Sequence, residues 1–318
     1  MTGSELLLAA GVDAMVGDPR WLPHPVRGMG CVITWCDDQV RRMCRSSGAL
    51  RVAGLSLAIG LPVVVYLLAY WIIDIAEGMS GRFGSVVSIG LASTTLAGRD
   101  LWDHVQAVSG QLEQNHLPGA RRAVAMIVGR DTERLSEDEV VCATVETAAE
   151  STADGVIAPL LYLAIGGAPL ALAYKAVNTL DSMIGHRDER HIDFGWASAR
   201  LDDVANWIPA RLSAVLLVIA AGLVTRNTDR VSSGWRVLCR DGGKHPSPNS
   251  GRPEAAMAGS LGVQLGGTNY YDGIPHERPV IGTGGRQLVQ RDIATASRIM
   301  IVTCLLGVIL AVGILWLV

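Results

Sequence analysis

Long apolar stretches dominate the hydrophobic pattern of this chain, and they predict helices that span a lipid bilayer. The clearest are residues 50–73 and 299–318, of which the first carries one charged side chain, Arg51, and the second none. A spanning helix needs about 20 mostly apolar residues, and both stretches reach that length. Pro62 within the first is compatible with a membrane helix, in which neighbouring groups satisfy the backbone that a proline frees.

Three weaker stretches extend the same pattern. Residues 208–224 are apolar but short, and residues 156–177 are interrupted in the middle by Gly166 and Gly167. Residues 86–97 are too short to cross straight and are expected to be interfacial or re-entrant. The pattern therefore predicts an all-α, polytopic integral membrane protein with four or five transmembrane helices.

Composition supports lipid exposure and argues against a nucleic-acid partner. Of 318 residues, 49% are hydrophobic and only 18% are charged, whereas soluble chains carry about 25% charged residues. The net charge of −3 lacks the basic excess of a phosphate-backbone binder. The six cysteines include no CxxC pair, so we expect separate reduced thiols. With no internal linker, residues 1–318 are expected to form one membrane-embedded domain at the cell membrane, and a homo-oligomer stays open.

Basic residues flanking the apolar stretches predict the orientation of the chain, because they mark cytoplasmic sides. The basic flanks consist of Arg41, Arg42, Arg45 and Arg51, then Arg226, Arg230, Arg236, Arg240 and Lys244, and finally Arg298. If these sides are cytoplasmic, alternation places residues 181–206 on the outer side or folded back at membrane depth.

The polar segments between the spans differ in their predicted structure. Residues 99–155 are expected to be helical, with a capping box formed by Ser136 and Glu139. Gly155 followed by Pro159 indicates a helix stop. Residues 241–291 are rich in glycine and proline and are expected to be mostly loop.

An acidic stripe is the first candidate for chemistry. Glu146, Glu150 and Asp154 follow one another at spacings of four, so they lie along one helix face. Like charges at that spacing repel, and a bound cation or a basic partner would compensate. The alternative is a solvated acidic face on a surface helix.

A second cluster stands at the end of an apolar stretch. Lys175 and Asn178 share a helical face, and Asp181 follows them. Ionisable residues at membrane depth are costly and indicate function by default. A lysine reaching to the interface is the alternative, but it does not account for the neighbouring Asn and Asp.

A third cluster combines carboxylates with arginines. Asp202 and Asp203 precede Asn206 by four and three residues, and together they offer the oxygen ligands that magnesium accepts. Arg200 and Arg211 could each form a bidentate contact with phosphate or carboxylate. An interfacial helix anchored by its tryptophans is the alternative, and both interpretations can hold together.

Two loops complete the candidates. The first, at residues 18–26, presents Asp18 and His24, and we interpret His24 as positional or substrate-touching. The second carries Ser247 and Asn249 and opens a small-residue stretch whose helix amino terminus could hold an anion. An ordinary capped turn is the alternative there.

With these residues in view, the chain resembles the adenosylcobinamide-phosphate synthase family, the CbiB/CobD membrane proteins of cobalamin biosynthesis. The resemblance covers almost the whole chain. The motifs that carry it are GDPRWLPHPVRGMG at 17–30, GRDT at 129–132, ATVETAAESTADGVIAPLLY at 143–162, YKAVNTLDSMIGHR at 174–187, FGWASARLDDVANWIPAR at 194–211 and HPSPNSGRPEAAMAGSLGVQLGG at 245–267.

The resemblance implies an ATP-dependent carbon–nitrogen ligase that joins adenosylcobyric acid to aminopropanol phosphate or ethanolamine phosphate. ATP is expected to activate the free propionate as an acyl phosphate, which the amine then attacks. Such chemistry needs Mg²⁺, cations around the transferring phosphate and a base for the ammonium. The implied partners are the corrinoid, the amino-alcohol phosphate and the lipid bilayer.

The residues identified above can fill these roles. The candidate catalytic residues are Glu146, Glu150, Lys175 and Asp202. The candidate magnesium ligands are Asp154, Asp202 and Asp203. The candidate substrate or phosphate contacts are Arg130, Asp131, Asn178, Asp181, Arg200, Asn206, Arg211, Ser247 and Asn249. The alternative function is a non-catalytic transporter or corrinoid-binding sensor, since transporters also build sites from broken helices with polar residues at mid-membrane.

Overall fold

A computed structural model describes residues 1–19, 21, 23–186, 188–271, 273–284 and 286–317. Arg20 and Leu22 of the first motif and Arg187 of the fourth lie outside the described residues. The helices are α1 (Gly3–Val16), α2 (Pro25–Met43), α3 (Ser47–Met79), α4 (Gly81–Ser93), α5 (Gly98–Glu113), α6 (Leu117–Val124), α7 (Glu137–Thr152), α8 (Ala158–Ile184), α9 (Trp196–Ala205), α10 (Trp207–Thr225), α11 (Thr228–Asp241), α12 (Gly251–Leu261) and α13 (Gln290–Leu317). A π-turn (Ala153–Ile157) joins α7 to α8, and strands β1 (Leu265–Tyr271) and β2 (Ile274–Ile281) pair antiparallel.

Four helical segments among the described residues are long and apolar enough to cross a membrane: Ser47–Met79, Glu137–Ile184, Trp207–Thr225 and Gln290–Leu317. They contain the stretches predicted at 50–73, 156–177 and 208–224, and residues 299–317 of the stretch predicted at 299–318. The remaining stretch, 86–97, overlaps α4, whose 13 residues are too few to span. The prediction of an all-α polytopic membrane protein is confirmed, and the small β-hairpin is an addition to it.

The chain divides into two compact units. Unit 1 consists of Met1–Ala97, Ala158–Asn206 and Val308–Val318, and unit 2 of Gly98–Ile157 and Trp207–Gly307. The expectation that residues 1–318 form one domain remains a prediction.

In unit 1 the core lies where α2, α3 and α8 meet, around Ile33, Leu180 and Phe194. Close packing depends on Gly54 of α3, because a Cβ there would lie 1.9 Å from the carbonyl oxygen of Phe194. The side chains that fill this core are aliphatic and aromatic, and removing them from water stabilises the unit by roughly 25 cal/mol per Å² of apolar surface.

Helix α8 is broken in the middle, as the sequence predicted. Gly166 has φ −141° and ψ 16°, and Gly167 has φ 67° and ψ −165°. The conformation of Gly167 lies outside the range that residues with a Cβ readily adopt. The break therefore falls at the one pair of residues in this span that can accommodate it.

In unit 2 helices α5, α7, α10 and α12 enclose a core that includes Val105, Val141, Leu217 and Met257. Gly259 lets α12 pack closely on α11, since a Cβ there would lie 2.7 Å from the carbonyl oxygen of Ser233. The capping box predicted at the start of α7 is present: the Ser136 hydroxyl accepts from the backbone N–H of Glu139, and the Glu139 carboxylate accepts from that of Ser136.

Two secondary-structure predictions were wrong. The helix expected to stop at Gly155 and Pro159 continues through the π-turn into α8. The widened turn accommodates a proline that has no N–H to donate, so the chain keeps its course.

Residues 241–291, expected to be mostly loop, contain α12 and the β-hairpin. Glycines in this region adopt positive φ values, including Gly266 (91°), Gly267 (102°) and Gly282 (110°). These conformations allow the β-bulge and the close approach of the two strands. Because glycine is typical of loops, residue propensity alone predicted a loop here.

Candidate functional site

The acidic stripe of α7 begins with a neutralised carboxylate. Glu146 is 2% exposed and forms an ion pair with Arg130, which precedes α7 in the GRDT motif. The backbone N–H of Gly266, on β1, donates to Glu146 Oε1 at 2.7 Å. Glu146 therefore ties three separate stretches of unit 2 together. The basic partner that the sequence argument required for the stripe is Arg130.

Arg130 holds a second partner. Its guanidinium group donates to Oδ1 of Asn269, a residue of β1, at 2.5 Å. Burial acts to lower the pKa of Arg130, and the charge and hydrogen bond of Glu146 outweigh it, so the pKa is raised. Arg130 is therefore a permanently charged centre of this cluster, with its side chain 9% exposed.

The other two members of the stripe, Glu150 and Asp154, have different surroundings from Glu146. Glu150 accepts a hydrogen bond from the Ser250 hydroxyl at 2.6 Å. Asp154 lies in the π-turn, where the helix widens and the spacing of four no longer keeps residues in line. Among the described residues no three His, Cys, Asp or Glu side chains are placed to hold a metal ion.

The loop before α12 is built by its own side chains. The N–H of Ser247 donates to His245 Nδ1 at 2.9 Å, and the Ser247 hydroxyl accepts from the N–H groups of Asn249 and Ser250 at 3.3 Å each. This geometry is that of a capped turn, the alternative named for this loop. The predicted contact of Ser247 and Asn249 with phosphate remains a prediction.

Asp131, beside Arg130, holds the tip of the hairpin. Its N–H donates to the carbonyl of Tyr270, and its carboxylate accepts from the N–H of Gly273, both at 2.8 Å. A cavity of about 750 Å³ adjoins it, lined by Asp131, Thr132, Glu133, Arg134, Leu135, Glu139, Tyr270 and Gly273. The contacts found for Asp131 are thus to the hairpin backbone.

Unit 1 contains the second polar cluster, built between α8 and α9. Asp202 is 9% and Asn206 1% exposed, and the Asn206 amide donates to both carboxylate oxygens at 3.0 Å. The Tyr174 hydroxyl donates to Asn206 Oδ1 at 2.8 Å, which fixes the amide with its NH₂ toward Asp202. Tyr162 stacks on Tyr174 with ring centroids 4.8 Å apart.

From the α8 side, Asn178 also donates to Asp202. Lys175 lies 3.5 Å from Asn178 Oδ1 through its Nζ. Burial raises the pKa of Asp202 to about 7, with a further contribution from the nearby carboxylate of Asp181, against the hydrogen bonds from Asn206 and Asn178. The structure therefore gathers four predicted site residues, Lys175, Asn178, Asp181 and Asn206, near the buried carboxyl group of a fifth, Asp202.

Other predicted residues point elsewhere. Asp203 lies 3.3 Å from Arg200, whose side chain is 62% exposed. In unit 2, Arg211 stacks over the Trp207 ring at 4.0 Å and donates to the Trp207 carbonyl at 2.7 Å. Both arginines contact residues of their own helices, and their role in holding phosphate or propionate remains a prediction.

Sequence reasoning also left out several residues of the two clusters. Tyr174 donates to Asn206, and Tyr162 stacks on Tyr174 and donates to the carbonyl of Ala205. In unit 2, Glu254 and Asn269 are buried, His245 is partly buried, and all three interact with Arg130 or Glu146. Tyr174 and His245 each begin a motif that was noticed, and their proximity to site residues was the available signal. Asn269 gave none, since its role depends on the hairpin.

Comparisons with known proteins agree on one group. The family model described as CobD/Cbib protein matches residues 6–300. A cobalamin biosynthesis protein CobD from Geobacter metallireducens is 51% identical over 280 residues, covering 88% of this chain and 86% of its own. Cobalamin biosynthesis protein CbiB from Salmonella typhimurium is 44% identical, and the match covers 95% of this chain and 94% of the relative. Cobalamin biosynthesis protein CobD from Klebsiella pneumoniae is 43% identical, and the match covers 96% of each chain. No solved structure matches this chain.

Proposed function

This chain belongs to the CobD/Cbib protein family, and we propose on that premise that it acts in cobalamin biosynthesis as an amide-forming ligase. Its substrates would be adenosylcobyric acid, an amino-alcohol phosphate (aminopropanol or ethanolamine phosphate) and ATP. The product would be adenosylcobinamide phosphate, with ADP and phosphate released. The names of the relatives state only that they act in cobalamin biosynthesis, and the specific reaction is the step proposed beyond them.

The reaction sets definite requirements for the protein. A carboxylate acylates poorly, so ATP transfers its γ-phosphoryl group to the propionate and gives an acyl phosphate and ADP. The amine nitrogen then attacks the acyl carbon, the C–O bond to phosphate breaks, and phosphate leaves. The amine reaches the site as an ammonium and must lose a proton before it attacks, which calls for a base of matched pKa.

The observation that carries the proposal is the carboxyl group of Asp202. Its pKa of about 7 suits a base at neutral pH, whereas an ordinary aspartate, with a pKa near 3.9, would be a far weaker proton acceptor. Asn206 and Asn178 hold both carboxylate oxygens in place. In this proposal Asp202 takes the proton of the ammonium, and Lys175, whose Nζ lies 3.5 Å from Asn178 Oδ1, holds a phosphate or the propionate.

The assignment of Asp154, Asp202 and Asp203 as magnesium ligands remains a prediction. Asp203 turns toward Arg200, and within the described ranges no three acidic, His or Cys groups are placed around a common point. Magnesium that enters with ATP is part of that substrate, and its ligands would come mainly from phosphates and water. We therefore assign no step to a protein-held metal.

Activity of purified protein in detergent tests the proposal, with ADP release measured in the presence and absence of corrinoid and amine. Asp202→Asn should lose roughly 10²-fold or more of kcat, the contribution of a positioned base. Lys175→Ala and Glu146→Gln should also lose turnover, the second because it breaks the ion pair with Arg130. Retention of near-normal turnover by all three variants would show the site map to be wrong.

Matched controls separate chemistry from general damage. Lys244→Ala removes an exposed lysine whose partner is Asp241, and Asp38→Asn neutralises a carboxylate that is 52% exposed. Both should keep turnover near the wild-type value. The wild type should also lose turnover below pH 7, as Asp202 is protonated.

The broken helix favours one second candidate, a transporter or corrinoid-binding sensor. The non-helical conformation of Gly166 and Gly167 inside a candidate span is how transporters expose backbone groups to a substrate. Detergent solution removes the two compartments that transport needs. ADP release that depends on both corrinoid and amine would exclude this candidate, and binding without turnover would support it.

A further inference from the structure

Several polar side chains of unit 2 have a buried atom without a hydrogen-bond partner in the described part of the chain, and three of them interact with the Arg130–Glu146 pair. The atoms are Glu254 Oε1, His245 Nε2 and Asn269 Nδ2. Glu254 is 2% and Asn269 5% exposed. Buried polar atoms are nearly always paired in folded proteins, and exceptions need a reason. Three exceptions in one region point to a ligand that completes them.

All three atoms act as hydrogen-bond donors. His245 Nδ1 accepts from the N–H of Ser247, so in the neutral ring the proton is on Nε2. Asn269 Oδ1 accepts from Arg130, which leaves its NH₂ facing the other way. Burial, with the nearby Glu146 and Glu150, raises the pKa of Glu254 well above its usual range, which favours the protonated form, a hydrogen-bond donor.

The three side chains share their surroundings. Glu254 and His245 both interact electrostatically with Glu146, Glu150 and Arg278. Asn269 joins the group through Arg130, which also acts on Glu254. The Ser250 hydroxyl, at the start of α12, bonds Glu150 and so anchors the amino end of that helix to α7.

The charges of this group select the chemistry of the ligand. The guanidinium groups of Arg130 and Arg278 balance the carboxylates of Glu146 and Glu150. Burial lowers the pKa of His245, with Arg278 acting in the same direction, so the ring is neutral at pH 7. What remains unsatisfied is a set of N–H and O–H donors, which calls for a ligand with several acceptor oxygens. A bare cation would find no free lone pair at His245 Nε2 or Asn269 Nδ2.

We propose that His245, Glu254 and Asn269 bind a phosphoryl group at the amino end of α12, where the helix dipole adds a further attraction. The assignment rests on the proposed ligase function for its two candidate sources, the phosphates of ATP and the phosphate of the amino-alcohol substrate. It gives the motif at 245–267 a role through its histidine and its glutamate.

Isothermal titration of the full-length protein in detergent, without corrinoid, tests the assignment. The probes are aminopropanol phosphate, a non-hydrolysable ATP analogue with Mg²⁺, aminopropanol without phosphate, and Mg²⁺ alone. His245→Asn keeps an oxygen that can accept from the N–H of Ser247 and removes the ring with its Nε2 donor. The affinity for a phosphate probe should fall about tenfold. Asn269→Asp places a like charge against the phosphate and should weaken it further.

Glu254→Gln distinguishes this site from a metal site. The carboxamide still donates a hydrogen bond, so phosphate affinity should stay within about twofold of wild type, and His104→Ala on α5 serves as the matched surface control. Binding of Mg²⁺ alone that Glu254→Gln abolishes would overturn the proposal, as would unchanged phosphate affinity in a folded His245→Asn protein.

The probes also separate the two sources and the two hypotheses. The phosphate compound that loses affinity in His245→Asn is the occupant, whereas the phosphate-free amine should not respond. If phosphate binding follows these variants but no ligase turnover is found, the pocket stands and the ligase proposal fails. If turnover is normal and phosphate affinity is unchanged in the variants, the ligase proposal stands and the pocket assignment fails.

Discussion

At the scale of single residues, Asp202 shows how burial can change what a side chain does. Water would stabilise its charge, but in unit 1 the carboxyl group has the amides of Asn206 and Asn178 instead, and Asp181 nearby opposes ionisation. The two amides hold the group in position but do not fully replace solvation. The result is a pKa of about 7, where an unperturbed aspartate would have been ionised.

This shift has a consequence for stability. The folded-state pKa lies above the unfolded value of 3.8, so the folded protein binds the proton more strongly between those values, and stability falls as pH rises from about 4 to about 7. Asp202→Asn removes the charge, and its Tm relative to wild type should rise by more at pH 8 than at pH 5. The expected gain in the free energy of unfolding at pH 8 is on the order of a few kcal/mol.

Thermal unfolding in detergent at the two pH values measures this difference. Asp38→Asn, on the exposed face of α2, should show no such pH-dependent gain. A Tm difference that is the same at pH 5 and pH 8 would mean that Asp202 is already ionised at pH 5, as an ordinary aspartate is, and its assignment as a base of matched pKa would be wrong.

At the scale of elements, glycine pairs and turns decide where helices bend. The break in α8 was visible in the sequence, because two adjacent glycines before a proline interrupt an apolar run. The continuation of α7 into α8 was not, because a π-turn has no residue signature and depends on the packing around it. The β-hairpin was missed for a similar reason: its glycines look like loop residues until their partners across the strand are known.

Gly167→Ala tests the break directly. At φ 67° a Cβ is strained, and the change should cost about 1–2 kcal/mol and lower Tm. Gly60→Ala, in the regular part of α3 where a Cβ meets nothing within 4 Å, should leave Tm unchanged or slightly raised. Equal Tm values for the two variants would indicate that α8 is not held in the broken conformation.

At the scale of the whole molecule, charge and span number constrain the membrane topology. Three candidate spans lie between the basic flank at 41–51 and the one at 226–244. Three complete crossings would put these flanks on opposite sides, against the rule that both are cytoplasmic. Helix α4 would be only about 20 Å long and cannot supply a fourth crossing. The segment Glu137–Ile184, which contains the break, is therefore expected to re-enter the membrane without crossing it. Of the two placements predicted for residues 181–206, the proposed reaction requires the one in which Asp202 is folded back at membrane depth, where it can meet substrates from the cytoplasmic side.

Labelling of single cysteines tests this topology, in a background from which the six native cysteines are removed. Glu189→Cys should react with an impermeant maleimide in intact cells, and Lys244→Cys only after permeabilisation. Both positions are exposed in the structure. Outer labelling at Lys244 with protection at Glu189 would show that the broken segment crosses completely and that the charge rule fails after α10.

The sequence by itself determined the class of this protein, the positions of four helices that are long and apolar enough to span a membrane, and the break in one of them. These follow from local properties, hydrophobic length and glycine conformation, which need no knowledge of distant residues. The family was also recognisable, because its motifs are long and ordered. The acidic stripe, the pair Lys175 and Asn178, and the pair Asp202 and Asn206 could each be proposed from helical spacing alone.

Only the tertiary structure decided which of these residues act together. It paired Glu146 with Arg130, turned Asp203 and Arg211 toward neighbours on their own helices, and buried Asp202 among amides. It also gathered His245, Glu254 and Asn269, whose positions depend on a hairpin that the sequence did not predict. The physical reason is that desolvation and hydrogen bonding depend on residues far apart in the chain, and spacing along one helix carries no information about them.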